Sequence, residues 1–150
     1  PLSTCHSVIC ASPDFLKGKK YPEKPEDLVL LDCLTYNFFG RSLWVFEKAG
    51  MQHSVLVDGR LSANESVFLA EATLQGAGIS MQPYYSVADH LASGALVQLL
   101  PEYTPMPLGI YAVYTSRQKM PTALRVVIDY LANWFVTSPH WQLLMQQRGN

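Results

Sequence analysis

The chain has 150 residues, of which 49% are apolar and only 15% charged. That is the length of one ordinary packing unit; eight Tyr, six Phe and three Trp supply core material that a disordered chain lacks. Eleven Lys and Arg against twelve Asp and Glu leave a net charge of -1, which excludes a basic nucleic-acid footprint within these residues and an acidic tail.

No apolar run approaches the roughly 18 residues of a membrane span, so no membrane partner is expected. Pro1-Leu2-Ser3-Thr4-Cys5-His6 has neither a positive n-region nor a signal-peptide h-region, and without an initiator Met the chain reads as a piece of something longer. Cys5, Cys10 and Cys33 are an odd set that cannot close on itself as disulfides, which favours a reducing compartment. Zinc could use Cys5, His6, Cys10 and Cys33, but the spacing matches no standard site, and Cys10 sits in an apolar run. Buried thiols are the better reading, and no metal or cofactor is expected.

In chain order, Ser7 to Ala11 reads as a short buried strand. Ser12-Pro13-Asp14 supplies an N-cap, a proline at the first helical position and an early acid, opening a short helix that ends near Gly18. Lys17-Gly18-Lys19-Lys20 is a small basic cluster; a solvated helix end accounts for it more simply than a phosphate site. Pro25-Glu26-Asp27-Leu28 begins another helical turn, and Cys33 to Tyr36 is a strand followed by a turn over Asn37-Phe38-Phe39-Gly40. Ser42 to Glu47 and Ser54 to Val57 form a β-hairpin, with Ala49-Gly50 and Asp58-Gly59 as turn signals. A helix from Glu65 to Gln75 takes Asn64 as its natural N-cap, and Gly76 and Gly78 stop it. A strand from Ile79 ends at Pro83, a helix spans Ser86 to Ser93, and strands follow over Ala95 to Leu100 and Gly109 to Thr115. Leu124, Val127, Ile128, Leu131, Ala132 and Phe135 make one apolar stripe on a helix from Pro121 to Val136, and an amphipathic piece from Trp141 to Gln147 closes the chain. Strands alternating with helices imply an α/β domain with a partly parallel sheet.

No catalytic constellation is visible. His6, His53, His90 and His140 lie in no nucleophile elbow, HExxH, P-loop or DxDxDG pattern, and Glu23, Glu26 and Asp27 crowd a loop where solvated charge is the ordinary reading. What stands out is a set of polar turns and helix starts after short strands: Ser12-Pro13, Tyr36-Asn37, and Ser62-Ala63-Asn64-Glu65-Ser66. Free amides at a helix start attract carboxylates and other anions, and open α/β sheets bind ligands beyond strand C-termini. These three places would line one crevice if the strands lie side by side. Capping alone also explains Ser12 and Asn64, and the residues by themselves do not separate the two readings.

The ordered motifs resemble the effector-binding domain of LysR-type transcriptional regulators. Val8-Ile9-Cys10-Ala11-Ser12-Pro13-Asp14-Phe15-Leu16 resembles that family's ASPxYL signature, and Asp32-Cys33-Leu34-Thr35-Tyr36 its HxCLxY segment. Trp44-Val45-Phe46 fits a WxF strand; Asn64-Glu65-Ser66 with Ala72, Gly76-Ala77-Gly78-Ile79 and Pro83 fits NDSxxLxxAxxxGxGIxxxP. Gly94-Ala95-Leu96-Val97, Leu108 to Tyr114, and Arg125 to Leu131 continue the series, so the resemblance runs from Ser7 to about Val136.

The resemblance implies a type II periplasmic-binding-protein-like α/β fold: residues 7–105 as lobe two, residues 106–150 as the returning strand and helices of lobe one. It places an N-terminal winged helix-turn-helix, and the first part of lobe one, outside this chain. It implies no enzyme activity, a cytoplasmic location, and promoter DNA as a partner only through the helix-turn-helix. A small-molecule effector, of carboxylate or aromatic-acid class, is expected near Tyr36, Asn37, Ser62, Asn64, Glu65, Ser66, Gly78 and Pro83, with Ser12 and Pro13 as secondary candidates. Asn64 and Ser66 could donate to a carboxylate or hydroxyl and Tyr36 could cover an apolar ring; Glu65 opposes an anion unless it faces away. The stripe on the helix from Pro121 would lack the sheet it normally covers, so a homo-oligomer is expected, with the C-terminal segment exchanged between copies. The competing readings are a solute-binding protein of the same fold and, behind it, an enzyme of related fold carrying a perturbed acid or base in the cleft.

Overall fold

The computed structural model describes residues 1–36, 41–114 and 120–146. It divides into two compact units, His6–Met106 and Pro1–Cys5 with Pro107–Asn150. The elements in chain order are β1 (Ser3–Cys5), β2 (Ser7–Ala11), α1 (Pro13–Leu16), a tight helical turn Pro25–Leu30, β3 (Cys33–Tyr36), β4 (Arg41–Lys48), β5 (Met51–Ala63), α2 (Ser66–Leu74), β6 (Ile79–Pro83), α3 (Tyr84–Ser93), β7 (Val97–Leu99), β8 (Thr104–Pro105), β9 (Leu108–Ile110), α4 (Thr122–Thr137) and α5 (Pro139–Gln146).

The larger unit holds a seven-stranded mixed sheet in the order β7-β2-β6-β3-β5-β4-β8. β3 runs parallel to both β5 and β6, whereas β2 runs antiparallel to β6 and β7. The unbroken apolar run of β2 is explained by burial on both faces: Ile9 and Ala11 join Phe15, Leu28, Trp44, Phe46, Val57 and Ile79 on one side. Val8 and Cys10 join Ala70, Val87 and Leu96 on the other, as the two-residue side-chain period requires. Each fully buried Ile or Leu contributes about 1.5–3 kcal/mol by leaving water.

Four sequence expectations are corrected. Ala49-Gly50 does close the β4–β5 hairpin, both residues lying in the left-handed region (φ 50 and 77) that a two-residue turn demands. Asp58-Gly59, however, is no turn: β5 runs through it to Ala63, leaving β4 for a parallel pairing with β3. Asp58 is held in the ladder opposite Arg41, with a 2.6 Å ion pair between them. The cap of α2 is Glu65 rather than Asn64, and its side chain makes no capping bond. β7 is shorter than Ala95 to Leu100 because its partner β2 ends at Ala11, opposite Val97. The strand expected over Gly109 to Thr115 stops at Ile110, because its partner β1 offers only Ser3 to Cys5; Thr115 lies outside the described residues.

In the smaller unit β1 and β9 pair, the Leu2 amide donates to the Ile110 carbonyl, and Trp141 donates from its indole to the Ser3 hydroxyl at 3.0 Å. Phe135 meets Trp134 and Trp141 edge-to-face, yet no residue of α4 is buried: Val127 is 52% and Leu131 36% exposed. No helix of the described residues is long and apolar enough to cross a membrane.

Candidate functional site

Strand direction sorts the candidate residues into two groups. β3, β5 and β6 point the same way, so their C-terminal residues Tyr36, Ala63 and Pro83 share one end of the sheet, together with Ser7, the first residue of antiparallel β2. Ser62, Asn64, Glu65 and Ser66 follow at that same end, where β5 passes into α2. Tyr36 is 60% exposed, Asn64 and Glu65 are exposed, and Ser62, Ser66 and Pro83 are half-buried. The Ser62 hydroxyl is 2.6 Å from that of Thr35 on the neighbouring strand, which fixes its rotamer. Asn37 lies outside the described residues.

Ser12, Pro13 and Gly78 sit at the opposite end of the sheet. There β2 finishes, and β3 and β6 begin. The expectation that Ser12-Pro13 shares a crevice with Tyr36 and Asn64 is therefore corrected: lying side by side is not enough when one strand runs the other way. The Ser12 hydroxyl accepts from the Phe15 amide at 3.2 Å and serves as a helix cap. Gly78 is buried, and a Cβ there would stand 2.5 Å from the Asp32 carbonyl, so its role is close backbone packing.

Between the ends, a buried hydroxyl chain ties α2 to the sheet. Thr73 donates to the Leu69 carbonyl at 2.6 Å, the Ser80 hydroxyl lies 2.7 Å from Thr73, and the Gln82 amide donates to Ser80 at 3.2 Å. The Thr73 proton is committed to Leu69, so Ser80 is the donor of the middle bond. Among the described residues, Gln82 Oε1 is buried without a hydrogen-bond partner.

All three thiols are buried, and none is joined in a disulfide. Burial pushes Cys10 and Cys33 up to about 12 and raises Cys5, so none supplies a thiolate near neutral pH. Among the described residues no group of three His, Cys, Asp or Glu could hold a metal ion. Sequence reasoning missed Asp32 and Arg60, which gather at the Ser12 end with Lys19, read from the sequence as part of a solvated helix end, around a cleft of about 450 Å³. The available signal was Gly59, a glycine inside a strand pattern, which marks a bulge.

A mixed sheet with helices on its faces, and a polar turn at Asn64-Glu65 beyond the C-terminal end of parallel β5, belongs to the α/β class in which ligands bind beyond strand C-termini. A family model described as the LysR substrate binding domain matches residues 1–136; the chain belongs to that family and has its type II periplasmic-binding-protein-like fold. The chain is 33% identical over 138 residues to the HTH-type transcriptional regulator DmlR of Escherichia coli K12, covering 89% of this chain and 44% of that protein. It is 33% identical over 129 residues to the transcriptional activator TtdR of the same strain, covering 85% of this chain and 41% of that one. It thus spans under half the length of these relatives. Among solved structures, a variant regulatory domain of AphB from Vibrio vulnificus superposes with a TM-score of 0.74 at 26% identity, over 88% of this chain and 70% of that one. The regulatory domain of CrgA from Neisseria meningitidis gives 0.64 at 25%, over 88% and 66%.

Proposed function

We propose that the chain is part of the effector-sensing region of a LysR-type transcriptional regulator, with His6–Met106 as its second lobe and the remainder contributing to the first. The compactness of His6–Met106 supports that division. The effector is a small organic acid taken up at the Tyr36 end of the sheet. One observation carries this reading: parallel β3 and β5 end together at Tyr36 and Ala63, directly before a helix start that has no side-chain cap. The first amides of α2, with the Asn64 and Ser66 side chains, offer donors to a carboxylate, and the exposed Tyr36 ring offers an apolar cover. Gly78, Ser12 and Pro13 leave the effector set on this reading.

The region does no chemistry of its own. Binding shifts the affinity of a helix-turn-helix domain for promoter DNA in the cytoplasm, as a coupling free energy between the two sites. The regulator names of DmlR and TtdR support this. Copies of the chain associate through the uncovered α4 stripe.

The test is calorimetric titration of the full-length regulator with a panel of aliphatic and aromatic carboxylates, alongside promoter-DNA affinity. A hit should shift DNA affinity, and N64A combined with S66A should weaken acid binding about tenfold, the scale of lost charge-assisted hydrogen bonds. A hit unaffected by that double variant would place the effector elsewhere.

A further inference from the structure

We propose a second ligand site, at the Ser12 end of the larger unit, for a small monocarboxylate with an apolar body. It goes beyond the effector reading, since the cleft is lined by Phe15, Lys19, Asp32, Arg60, Leu61, Gly76 and Ala77, none of them an effector candidate. Its volume of about 450 Å³ falls within the range of small-molecule pockets.

Arg60, one of the two cations that line the cleft, is placed by a backbone irregularity. In the parallel β3–β5 pair, Cys33 is opposite Gly59 and Leu34 is opposite Leu61, so Arg60 is the extra residue of a bulge. A bulge re-aims the side chain it carries, and Arg60 turns to Asp32, with a 2.7 Å bond from its guanidinium. That bond uses one of five donors and orients the planar fork, leaving donors for a carboxylate. Lys19 is held as well: its ammonium donates to the Phe15 carbonyl at 2.8 Å and stands 4.3 Å over the Phe15 ring. Two of its three donors stay available.

Charge and lining select the ligand. Two cations face one carboxylate, leaving a single positive charge to balance, which suits a monoanion better than a phosphate. Phe15, Leu61, Gly76 and Ala77 make the rest of the wall apolar, so the anion should carry a hydrocarbon or ring. Gly76 (φ +82) keeps that wall thin, with its Cβ position only 3.4 Å from the Ser12 hydroxyl.

The experiment is nuclear magnetic resonance titration of the full chain with benzoate, with inorganic phosphate as a second probe. Saturable benzoate shifts are expected at the Lys19, Leu61 and Ala77 amides, with phosphate binding more weakly. R60Q should weaken benzoate about tenfold. D32N should tighten it by removing the competing carboxylate, a gain that a merely structural ion pair would not produce. Shifts confined to Tyr36 and Ser66 would support the effector site and overturn this one, as would an R60Q variant that binds like the parent. Tighter phosphate than benzoate would overturn the assigned ligand class.

Discussion

The hydroxyls of Thr73 and Ser80 lie 2.7 Å apart, buried between α2 and β6. That bond sits in the middle of a directional series from Gln82 through Ser80 and Thr73 to the Leu69 carbonyl, so it joins the helix that starts at the proposed effector end to β6, an interior strand of the sheet. Thr73→Val should destabilise the chain by about 1–3 kcal/mol, because the Ser80 hydroxyl loses its acceptor in a dry environment. Combined with Ser80→Ala, the cost should be smaller than the sum of the single changes, measured as a double-mutant cycle in urea. Strict additivity would mean the two hydroxyls do not interact.

Gly78→Ala should cost about 2 kcal/mol, the scale of forced overpacking. The added methyl would meet the Asp32 carbonyl at 2.5 Å, and that carbonyl already accepts from the Ile79 amide at 2.9 Å. Thermal unfolding followed by circular dichroism reads the loss; an unchanged midpoint would show that the Asp32 turn yields freely.

The thiols give a pH prediction. Burial raises Cys10 and Cys33 from an ordinary 9.0 to about 12. A raised folded value means the folded state holds its proton longer than the unfolded chain. Stability from this source is fully present below pH 9 and is lost as pH rises from 9 toward 12. The folded chain at pH 8 should resist a thiol-specific reagent at these two positions and react at both after denaturation. Rapid labelling of Cys10 in the folded state would contradict its burial.

The α4 stripe predicts association. Val127 and Leu131 stay exposed on a helix with no buried residue, and contiguous apolar surface of this kind marks interfaces. The chain should sediment with a concentration-dependent mass, and a V127E/L131E double variant should remain monomeric with unchanged helicity. A parent chain that is monomeric at millimolar concentration would remove this part of the proposal.

Much of the local structure was legible in residue types. Ser12-Pro13-Asp14 announced α1, the run from Ser42 to Glu47 announced β4, and the end of α3 falls at Ser93 as read, with Gly94 behind it in the left-handed region (φ 78). Asp58-Gly59 misled because the same residues that make turns also sit where a strand changes partner. Asn64 misled because caps slide by one residue when the preceding strand, here β5, keeps its ladder to Ala63.

The candidate site divides along the same line. Tyr36 and Ser62 lie at the C-terminal ends of β3 and β5, and Asn64 and Ser66 follow β5 directly, so local pattern was enough to group them. Ser12 also follows its strand, yet it ends up at the far end of the sheet with Gly78, Lys19 and Arg60. A run such as Ser7 to Ala11 announces a strand buried on both faces, but its residues carry no preference for parallel or antiparallel pairing. Direction is set by the partners β2 finds in β6 and β7, some seventy to ninety residues away. Strand identity is a local property of side-chain periodicity, whereas strand direction, and with it which polar turns meet, is decided only when distant hydrogen-bond ladders close.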